Sequence, residues 1–222
     1  MGLFKRFSND SNEYVIFNEY KRKLEKILNE DSFISKKCYL SIYNEINEVF
    51  NKLMLMKDEN VLLAWCKNNR TDYVELCGLL GYYASTEYNV KLHNTNFVNK
   101  HLSLDKEYLD NVLIKDDPNI RLDEEQRRVV LSDEDYTLVI AGAGSGKTTT
   151  IEAKVKYLID KKNVGPSRIL IVSFTRKATK ELADRCKRLG LPVNISTFHS
   201  IANTIIRNND NEKYNVVSSE VM

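Results

Sequence analysis

Ten residues, Ala141 to Thr150, constrain the fold of this 222-residue chain more than any other stretch. They read Ala-Gly-Ala-Gly-Ser-Gly-Lys-Thr-Thr-Thr, follow the short apolar run Thr137–Ile140, and precede apolar residues at helical spacing from Lys147 to Lys161. This order predicts a buried strand, a glycine-rich turn and a helix. Glycines allow the turn to curl its N–H groups around an anion at the positive end of the helix. The pattern therefore predicts a phosphate-binding P-loop in an α/β fold.

The side chains around this turn have roles that a bound nucleotide would need. Lys147 supplies a positive charge for the β- and γ-phosphates, and the Thr148 hydroxyl is placed to ligate Mg²⁺. The strict pattern has Gly where this chain has Ala141, and the alternative is a flexible turn that binds nothing. The candidate nucleotide-binding residues are Ala141, Gly142, Ala143, Gly144, Ser145, Gly146, Lys147, Thr148 and Thr149. The residues predicted to form the apolar face of the following helix are Ile151, Val155, Leu158 and Ile159.

Composition favours a cytoplasmic protein with no membrane partner. No apolar run approaches the roughly 18 residues that cross a bilayer, and the start, Met1 to Phe7, is too short and too charged for a secretory signal. The four cysteines are scattered without a Cys-x-x-Cys pair, which favours reduced and mostly buried thiols over zinc or disulfides. They are Cys38, Cys66, Cys77 and Cys186.

Residues 1–115 are predicted to form a mainly helical region of four to six segments. Glycine is rare there, and apolar residues recur at helical spacing in two stripes. These are Tyr20, Leu24, Ile27 and Leu28, and then Ile42, Ile46, Val49, Phe50 and Leu53. The stripes indicate core packing, and His93 and His101 have no partner at metal-ligand spacing. A turn-rich stretch, 116–121, is predicted to be a linker.

Beyond the linker, residues 122–222 alternate strand-like and helical segments. Strands are predicted at Thr137–Ile140, Ile169–Phe174 and Val193–Ile195, with helices from Lys147, from about Lys177 to Leu189 and over Ile201–Arg207. The order β-α-β-α-β-α predicts a parallel sheet with right-handed crossovers. Between Lys161 and Arg188 stand nine basic and two acidic residues. Such a run indicates either a nucleic-acid surface or a solvated helix face.

Four blocks in this half resemble the first motifs of the UvrD/Rep-type superfamily 1 DNA helicases, with the nearest likeness to helicase IV. Leu122–Arg127 is similar to the Q-motif, and Ala141–Thr148 matches motif I, including alanine at the first position. Ile169–Ala178 looks like motif Ia, and Ser196–Ser200 looks like the Thr-Phe-His block that follows it. The resemblance implies the first part of a RecA-like ATP-binding domain, preceded by the helical region.

The resemblance also implies site residues. The amide of Gln126 can accept a hydrogen bond from adenine N6 and donate one to N7, and so select ATP. The alternative is that Gln126 is a solvated glutamine on a charged helix. Arg127 and Arg128 are alternatives for a phosphate contact. The candidate single-stranded DNA contacts are Phe174, Thr175, Arg176, Lys177, Thr197, Phe198 and His199. An exposed aromatic such as Phe174 would stack on a base, whereas a buried one would belong to the core.

Hydrolysis in this family needs an acidic Asp-Glu pair at a later strand end and arginines from a second RecA-like domain. After His199 the acidic residues Asp210, Glu212 and Glu220 follow no apolar strand. The expectation is the N-terminal part of an ATP- and Mg²⁺-dependent 3′–5′ DNA helicase, a hydrolase that acts on single-stranded DNA or strand junctions. The chain alone is expected to be inactive without the rest of the motor or a partner chain. The alternatives are a free-standing nucleotide- or DNA-binding module and, less favoured by the later blocks, a small P-loop kinase.

Overall fold

The computed structural model describes residues 11–56 and 58–209, and these residues form two compact units. The first unit contains residues 11–104 together with 132–139, and the second contains 105–131 together with 140–209. The predicted linker at 116–121 therefore lies inside the second unit. Asp210, Glu212 and Glu220 lie outside the described residues. No helix in the described ranges is long and apolar enough to cross a membrane.

The first unit is a helical bundle whose α-helices begin with short polar caps. Ser11, Ser35 and Asp72 each accept a hydrogen bond from a backbone N–H in the first turn of the helix that follows. Such N-caps satisfy amides that have no partner within the helix. The helices are α1 Asn12–Leu28, α2 Lys36–Tyr43, α3 Asn47–Met54, α4 Glu59–Asn68, α5 Tyr73–Ala84 and α6 Thr86–Leu104.

Tyr83 of α5 lies at the centre of the first unit's core and is fully buried. Its ring stacks on Tyr43 at a centroid distance of 4.3 Å and meets the edges of Phe17 and Tyr20 at 5.8 and 5.2 Å. Its hydroxyl donates to the Tyr43 carbonyl. Aromatic pairs in these geometries add to the free energy gained by burying their area. The predicted core role of the stripe residues Tyr20 and Leu24 is confirmed, since both are buried.

The second unit combines a two-stranded parallel sheet with five α-helices among its described residues. Strand β1 (Leu170–Ser173) pairs with β2 (Asn194–Thr197), with Ser173 opposite Thr197. The helices are α7 Lys106–Asn111, α8 Glu124–Leu131, α9 Lys147–Asp160, α10 Arg176–Arg188 and α11 Phe198–Asn209. A parallel sheet connected by helices is compatible with the predicted α/β class. The predicted helices and the last two predicted strands are confirmed, with shifted ends.

The prediction of a buried strand at Thr137–Ile140 is wrong for this structure. No strand is assigned there, and Leu138 and Ile140 are 85% and 89% exposed. A short strand is stable only when neighbours satisfy its backbone and cover a face. The residues just before Thr137 belong to the first unit. There Glu134 and Asp135 accept hydrogen bonds from the backbone N–H groups of Lys36 and Lys37. Negative side chains are favoured at the start of a helix such as α2.

Two further predictions need correction. Among its described residues the helical region contains seven α-helices between Asn12 and Asn111, against the four to six predicted, because a 3-10 turn at Asn44–Ile46 and a break at Asp105 divide it further. The buried face of α9 is also rotated from the predicted one, since Ile151 is 44% exposed. The residues of α9 that are buried are Thr150, Glu152, Ala153, Val155 and Tyr157. Of the four free cysteines, Cys66 and Cys186 are buried.

Candidate functional site

The glycine turn from Ala141 to Gly146 leads directly into α9, as the motif predicts. Gly144 and Gly146 have φ angles of 75° and 77°, in the left-handed region that side chains with a Cβ seldom adopt. Gly146 is the residue that caps α9, and its carbonyl accepts the first N–H bond of the helix from Thr150 at 2.9 Å. The turn therefore ends at the N-terminus of a 14-residue helix, where backbone N–H groups attract an anion.

Lys147 lies folded over this turn. Its Nζ donates to the carbonyl oxygens of Ala141 and Gly142 at 3.0 and 2.5 Å, and the Ser145 hydroxyl donates to Gly142 at 2.8 Å. The lysine side chain is exposed, so the ammonium can exchange these carbonyls for phosphate oxygens without crossing the core. Thr148, in the first turn of α9, is half-buried. The turn thus brings together the predicted charge and the predicted hydroxyl.

Gln126 lies against the same turn. Its Nε2 donates to the Ser145 carbonyl at 3.2 Å, and a Cβ placed on Gly146 would come within 2.5 Å of that nitrogen. Its Oε1 accepts from the Asp123 N–H at 3.1 Å, while Asp123 accepts from the Gln126 N–H at 2.8 Å. This reciprocal pair is a capping box at the start of α8. This use of Gln126 was not among the predictions, although the Asp-x-x-Gln spacing signals it.

The two arginines after Gln126 are engaged within the protein. Arg127 donates to the Leu122 carbonyl at 2.9 Å and forms an ion pair with Asp110 at 2.6 Å. Arg128 pairs with Glu124 one turn earlier at 2.7 Å. Both arginines have acidic partners, and the choice between them for a phosphate contact stays open. Among the described residues no cluster of His, Cys, Asp and Glu is suited to hold a metal ion.

The two strand ends bring the predicted DNA contacts close together. Because Ser173 and Thr197 are register partners, Phe174 and Phe198 each follow directly at the carboxyl edge of the sheet. Both rings are exposed, by 85% and 69% of their area. Phe174 is therefore not a core residue. Ligands of open parallel sheets bind at this edge.

Threonines fix the helices that leave this edge. The Thr175 hydroxyl accepts from the Ala178 N–H at 3.1 Å and caps α10, and the Thr197 hydroxyl accepts from the Ser200 N–H at 3.2 Å at the start of α11. Arg176, Lys177 and His199 are exposed beside these caps. Thr175 and Thr197 thus have a capping role whether or not they contact a ligand.

The basic run of α10 is only partly a solvated surface. Arg185 is mostly buried and lies 3.0 Å from carboxylate oxygens of both Asp116 and Glu152, and Arg188 donates to Asp116 at 2.6 Å. Glu152 is completely buried in α9, and burial raises its pKa to about 7, with Arg185 opposing the shift. Glu152 was not among the predicted site residues, because a single glutamate in a helix gives no signal of burial.

Comparisons with known proteins find matches to the part of the chain that carries the glycine turn and the sheet edge. Residues 122–219 match the UvrD/REP helicase N-terminal domain. The likeness to the UvrD/Rep helicases that was predicted from the four motifs is thus confirmed for this part of the chain. The finer likeness to helicase IV stays a prediction.

Individual relatives match over nearly the same part. A probable DNA helicase II homologue of Mycoplasma capricolum is 46% identical over 91 residues, which are 39% of this chain and 12% of the relative. The ATP-dependent DNA helicase UvrD1 of Mycobacterium leprae is 42% identical over 92 residues, 39% of this chain and 12% of that protein. The ATP-dependent DNA helicase PcrA of Staphylococcus epidermidis is 39% identical over 101 residues, 44% and 13% of the two chains. The matched part thus spans about an eighth of these relatives.

Proposed function

We propose that this chain supplies the phosphate-binding part and a DNA-contacting edge of a cytoplasmic, ATP-dependent DNA helicase that translocates 3′–5′ on single-stranded DNA. The observation that carries the proposal is the meeting of a glycine turn, Lys147 and Gln126 at the start of α9 within a UvrD/REP helicase domain. The names of relatives such as UvrD1 and PcrA support ATP as the nucleotide.

The residues of the turn fit a nucleotide triphosphate. The left-handed φ angles of Gly144 and Gly146 suit the tight turn that a phosphate cradle needs, and Lys147 supplies the single full positive charge of the turn. Thr148 would contribute one hydroxyl ligand to Mg²⁺, with phosphate oxygens as further ligands of the kind that this ion prefers. Gln126 would release the Ser145 carbonyl and read adenine through its amide. Bound ATP with Mg²⁺ would supply the phosphoryl-transfer chemistry of the motor.

The exposed sheet edge fits single-stranded DNA. Phe174 and Phe198 offer two stacking surfaces that bind bases without regard to sequence. Arg176, Lys177 and His199 lie beside them, with the basic side chains placed for the phosphate backbone. Thr175 and Thr197 hold the adjoining helix starts in place. Single-stranded DNA, alone or at a strand junction, is the partner that this combination favours.

The test uses Lys147→Ala. Removing the ammonium leaves the phosphates without a charged hydrogen-bond donor, an interaction worth about 1.5–3 kcal/mol. We therefore expect the affinity for a fluorescent ATP analogue, measured by titration, to fall by about 10- to 150-fold. The control is Lys180→Ala, which removes an exposed lysine of α10. An unchanged affinity in Lys147→Ala would refute the assignment of the cradle.

A second candidate function is a nucleotide- and DNA-binding module that does not hydrolyse ATP. The observation that favours it is that each described unit buries a core of its own, around Tyr83 in the first and Leu182 in the second. Either function predicts no appreciable DNA-stimulated ATP turnover by the 222-residue chain, since hydrolysis would need the rest of the motor or a partner chain. A separately produced helicase segment with the acidic Asp-Glu pair and the second RecA-like domain should restore turnover if the chain is part of a helicase motor. Turnover should stay absent if the chain is a binding module. Robust turnover by the chain alone, removed by Lys147→Ala, would contradict both.

A further inference from the structure

Asp116, Glu152 and Arg185 form a buried charge network in the second unit, and the half-exposed Arg188 joins it through Asp116. Arg185 Nε lies 3.0 Å from Glu152 Oε1 and donates to Asp116 Oδ2 at 3.0 Å, and Arg188 donates to Asp116 Oδ1. Glu152 is 0% exposed, and the side chain of Asp116 is 3% exposed. The two Glu152 oxygens accept no hydrogen bond from any described residue, so the ion pair with Arg185 is the interaction that holds this carboxylate.

The buried charge network connects three segments that lead to the candidate site. Glu152 lies in the second turn of α9, whose first residue is Lys147 of the cradle. Arg185 lies in the last turn of α10, whose N-cap, Thr175, follows Phe174 at the sheet edge. Asp116 lies in the turns that precede the helix of Gln126. Since an α-helix moves nearly as a rigid body, fixing one end of α10 against α9 also fixes its other end.

Packing alone does not account for a carboxylate at position 152. A buried ion pair usually stabilises a fold less than apolar side chains of similar size, because desolvation offsets the attraction. The surroundings of Glu152 show this balance. Its pKa is raised to about 7, mainly by burial and also by the negative charges of Asp116 and Glu181, while Arg185 and Arg188 oppose the rise. Burial also raises the pKa of the neighbouring Cys186 thiol. A buried charge that costs free energy and lies beside a site is explained by the helices that it positions.

We propose that Glu152 is a positioning residue that couples the phosphate cradle at the start of α9 to the DNA-contacting edge at the start of α10. Its carboxylate holds Arg185, and Arg185 with Asp116 holds the last turn of α10 in place. A ligand that shifts α9 then shifts α10, and the reverse. The coupling of two ligands rests on the proposed function, whereas the mechanical link between the helices does not.

The first experiment measures the link without ligands, by amide hydrogen exchange on the 222-residue chain at pH 8. Glu152→Gln keeps the shape of the side chain and removes its charge, and Asp184→Asn removes one exposed negative charge from α10 as the matched control. We expect Glu152→Gln to speed exchange in both 141–148 and 174–178 and to leave 12–104 unchanged. Asp184→Asn should match the wild type. Unchanged exchange in either site segment, or a uniform increase along the whole chain, would overturn the proposal.

A pH profile separates positioning from a merely structural role. Because the pKa of Glu152 in the folded chain is about 7, above the ordinary value of 4.5, the wild type should adopt the exchange pattern of Glu152→Gln as pH falls from 8 to 5.5, after correction for intrinsic exchange rates. The same raised pKa means that this group contributes stability at low pH that is lost as pH rises through about 7. Glu152→Gln should therefore melt no lower than the wild type at pH 8. A lower melting temperature, or a wild-type pattern independent of pH, would contradict the inference.

The second experiment measures ligand coupling by titrating a fluorescent ATP analogue with and without an oligo-dT strand. We expect the strand to change the nucleotide affinity of the wild type and Asp184→Asn by about fivefold or more and that of Glu152→Gln by less than about twofold. Equal coupling in all three proteins would overturn the proposal. A wild type that binds neither ligand would refute the proposed function instead, and the ligand-free exchange comparison would then decide the mechanical link.

Discussion

Gly146 lies where the glycine turn becomes helix α9, and two separate constraints meet at this one residue. Its φ of 77° is in the left-handed region, and Gln126 Nε2 occupies the space where a Cβ would lie, at 2.5 Å. The absent side chain lets Gln126 reach the Ser145 carbonyl, so that the predicted adenine-reading amide touches the predicted phosphate cradle. The motif alone requires a glycine for its backbone, but the close approach of Gln126 adds a second requirement.

Gly146→Ala should therefore disturb both stability and the site. A non-glycine residue in the left-handed region costs about 1–2 kcal/mol. The flexible end of Gln126 would also move away from Ser145, which should weaken the binding of an ATP analogue. Thermal unfolding and nucleotide titration measure the two effects. Gly165→Ala is the control, since Gly165 has a φ of −59° and open space around its Cβ position, and its stability should stay near that of the wild type. Equal melting temperatures for the two variants would contradict this account.

Residue roles could be predicted from the sequence where spacing carries the chemistry. The turn, Lys147 and Thr148 follow from a local pattern, and the structure places them at the start of α9 as that pattern requires. The burial of Glu152 could not be predicted in this way, because it depends on Arg185, which lies 33 positions later in the chain and on another helix. Long-range ion pairs have no local signature, so the basic run of α10 indicated a nucleic-acid surface or a solvated helix face and gave no sign of the buried Arg185.

At the scale of elements, the parallel register of β1 and β2 determines which side chains meet. Ser173 is opposite Thr197, so each strand is followed directly by an exposed phenylalanine, at neighbouring positions of one edge. Adjacent strands of a sheet lie about 4.8 Å apart, so the residues that end them leave the sheet close together. Both strands were predicted from the sequence, but only their register shows that Phe174 and Phe198 follow them at neighbouring positions.

The segment Thr137–Ile140 illustrates why element prediction fails when partners decide the outcome. Its apolar, β-branched residues favour a strand, yet Leu138 and Ile140 are exposed and unpaired among the described residues. Propensity favours extended backbone, but neighbouring strands are needed to stabilise a ladder. Glu134 and Asp135 instead bind the start of α2, a contact between residues about 100 positions apart that no local pattern encodes.

The paired edge predicts a specific response to aromatic substitution. Phe174→Ala and Phe198→Ala should each weaken binding of a single-stranded oligonucleotide by about 1–3 kcal/mol, because each removes one stacking surface. The losses should be similar for oligo-dT and oligo-dA, measured by fluorescence anisotropy at fixed salt. Tyr88→Ala, which removes an aromatic that is 68% exposed on the first unit, is the matched control. If Tyr88→Ala weakened binding as much as the two phenylalanine variants, the edge would not be the stacking site.

At the scale of the whole molecule, the described residues divide into two units with separate apolar cores. The first is centred on Tyr83, which contacts four other aromatic rings. The second includes Leu182 and Cys186 of α10 and Ala153 of α9, all buried. Every residue of the candidate site lies in the second unit. The site should thus depend on the second core for its geometry.

Two core substitutions test this division. Tyr83→Ala should cost about 3–5 kcal/mol and Leu182→Ala about 2–5 kcal/mol, since each leaves a cavity in a closely packed core. Hydrogen exchange measured along the chain should show lost protection in 12–104 for Tyr83→Ala, with 147–191 still protected and the affinity for an ATP analogue retained. Leu182→Ala should give the reverse pattern and lose nucleotide affinity. If each variant lowered protection throughout the chain, the two cores would form one cooperative structure, and nucleotide binding would depend on the helical unit as much as on the glycine turn.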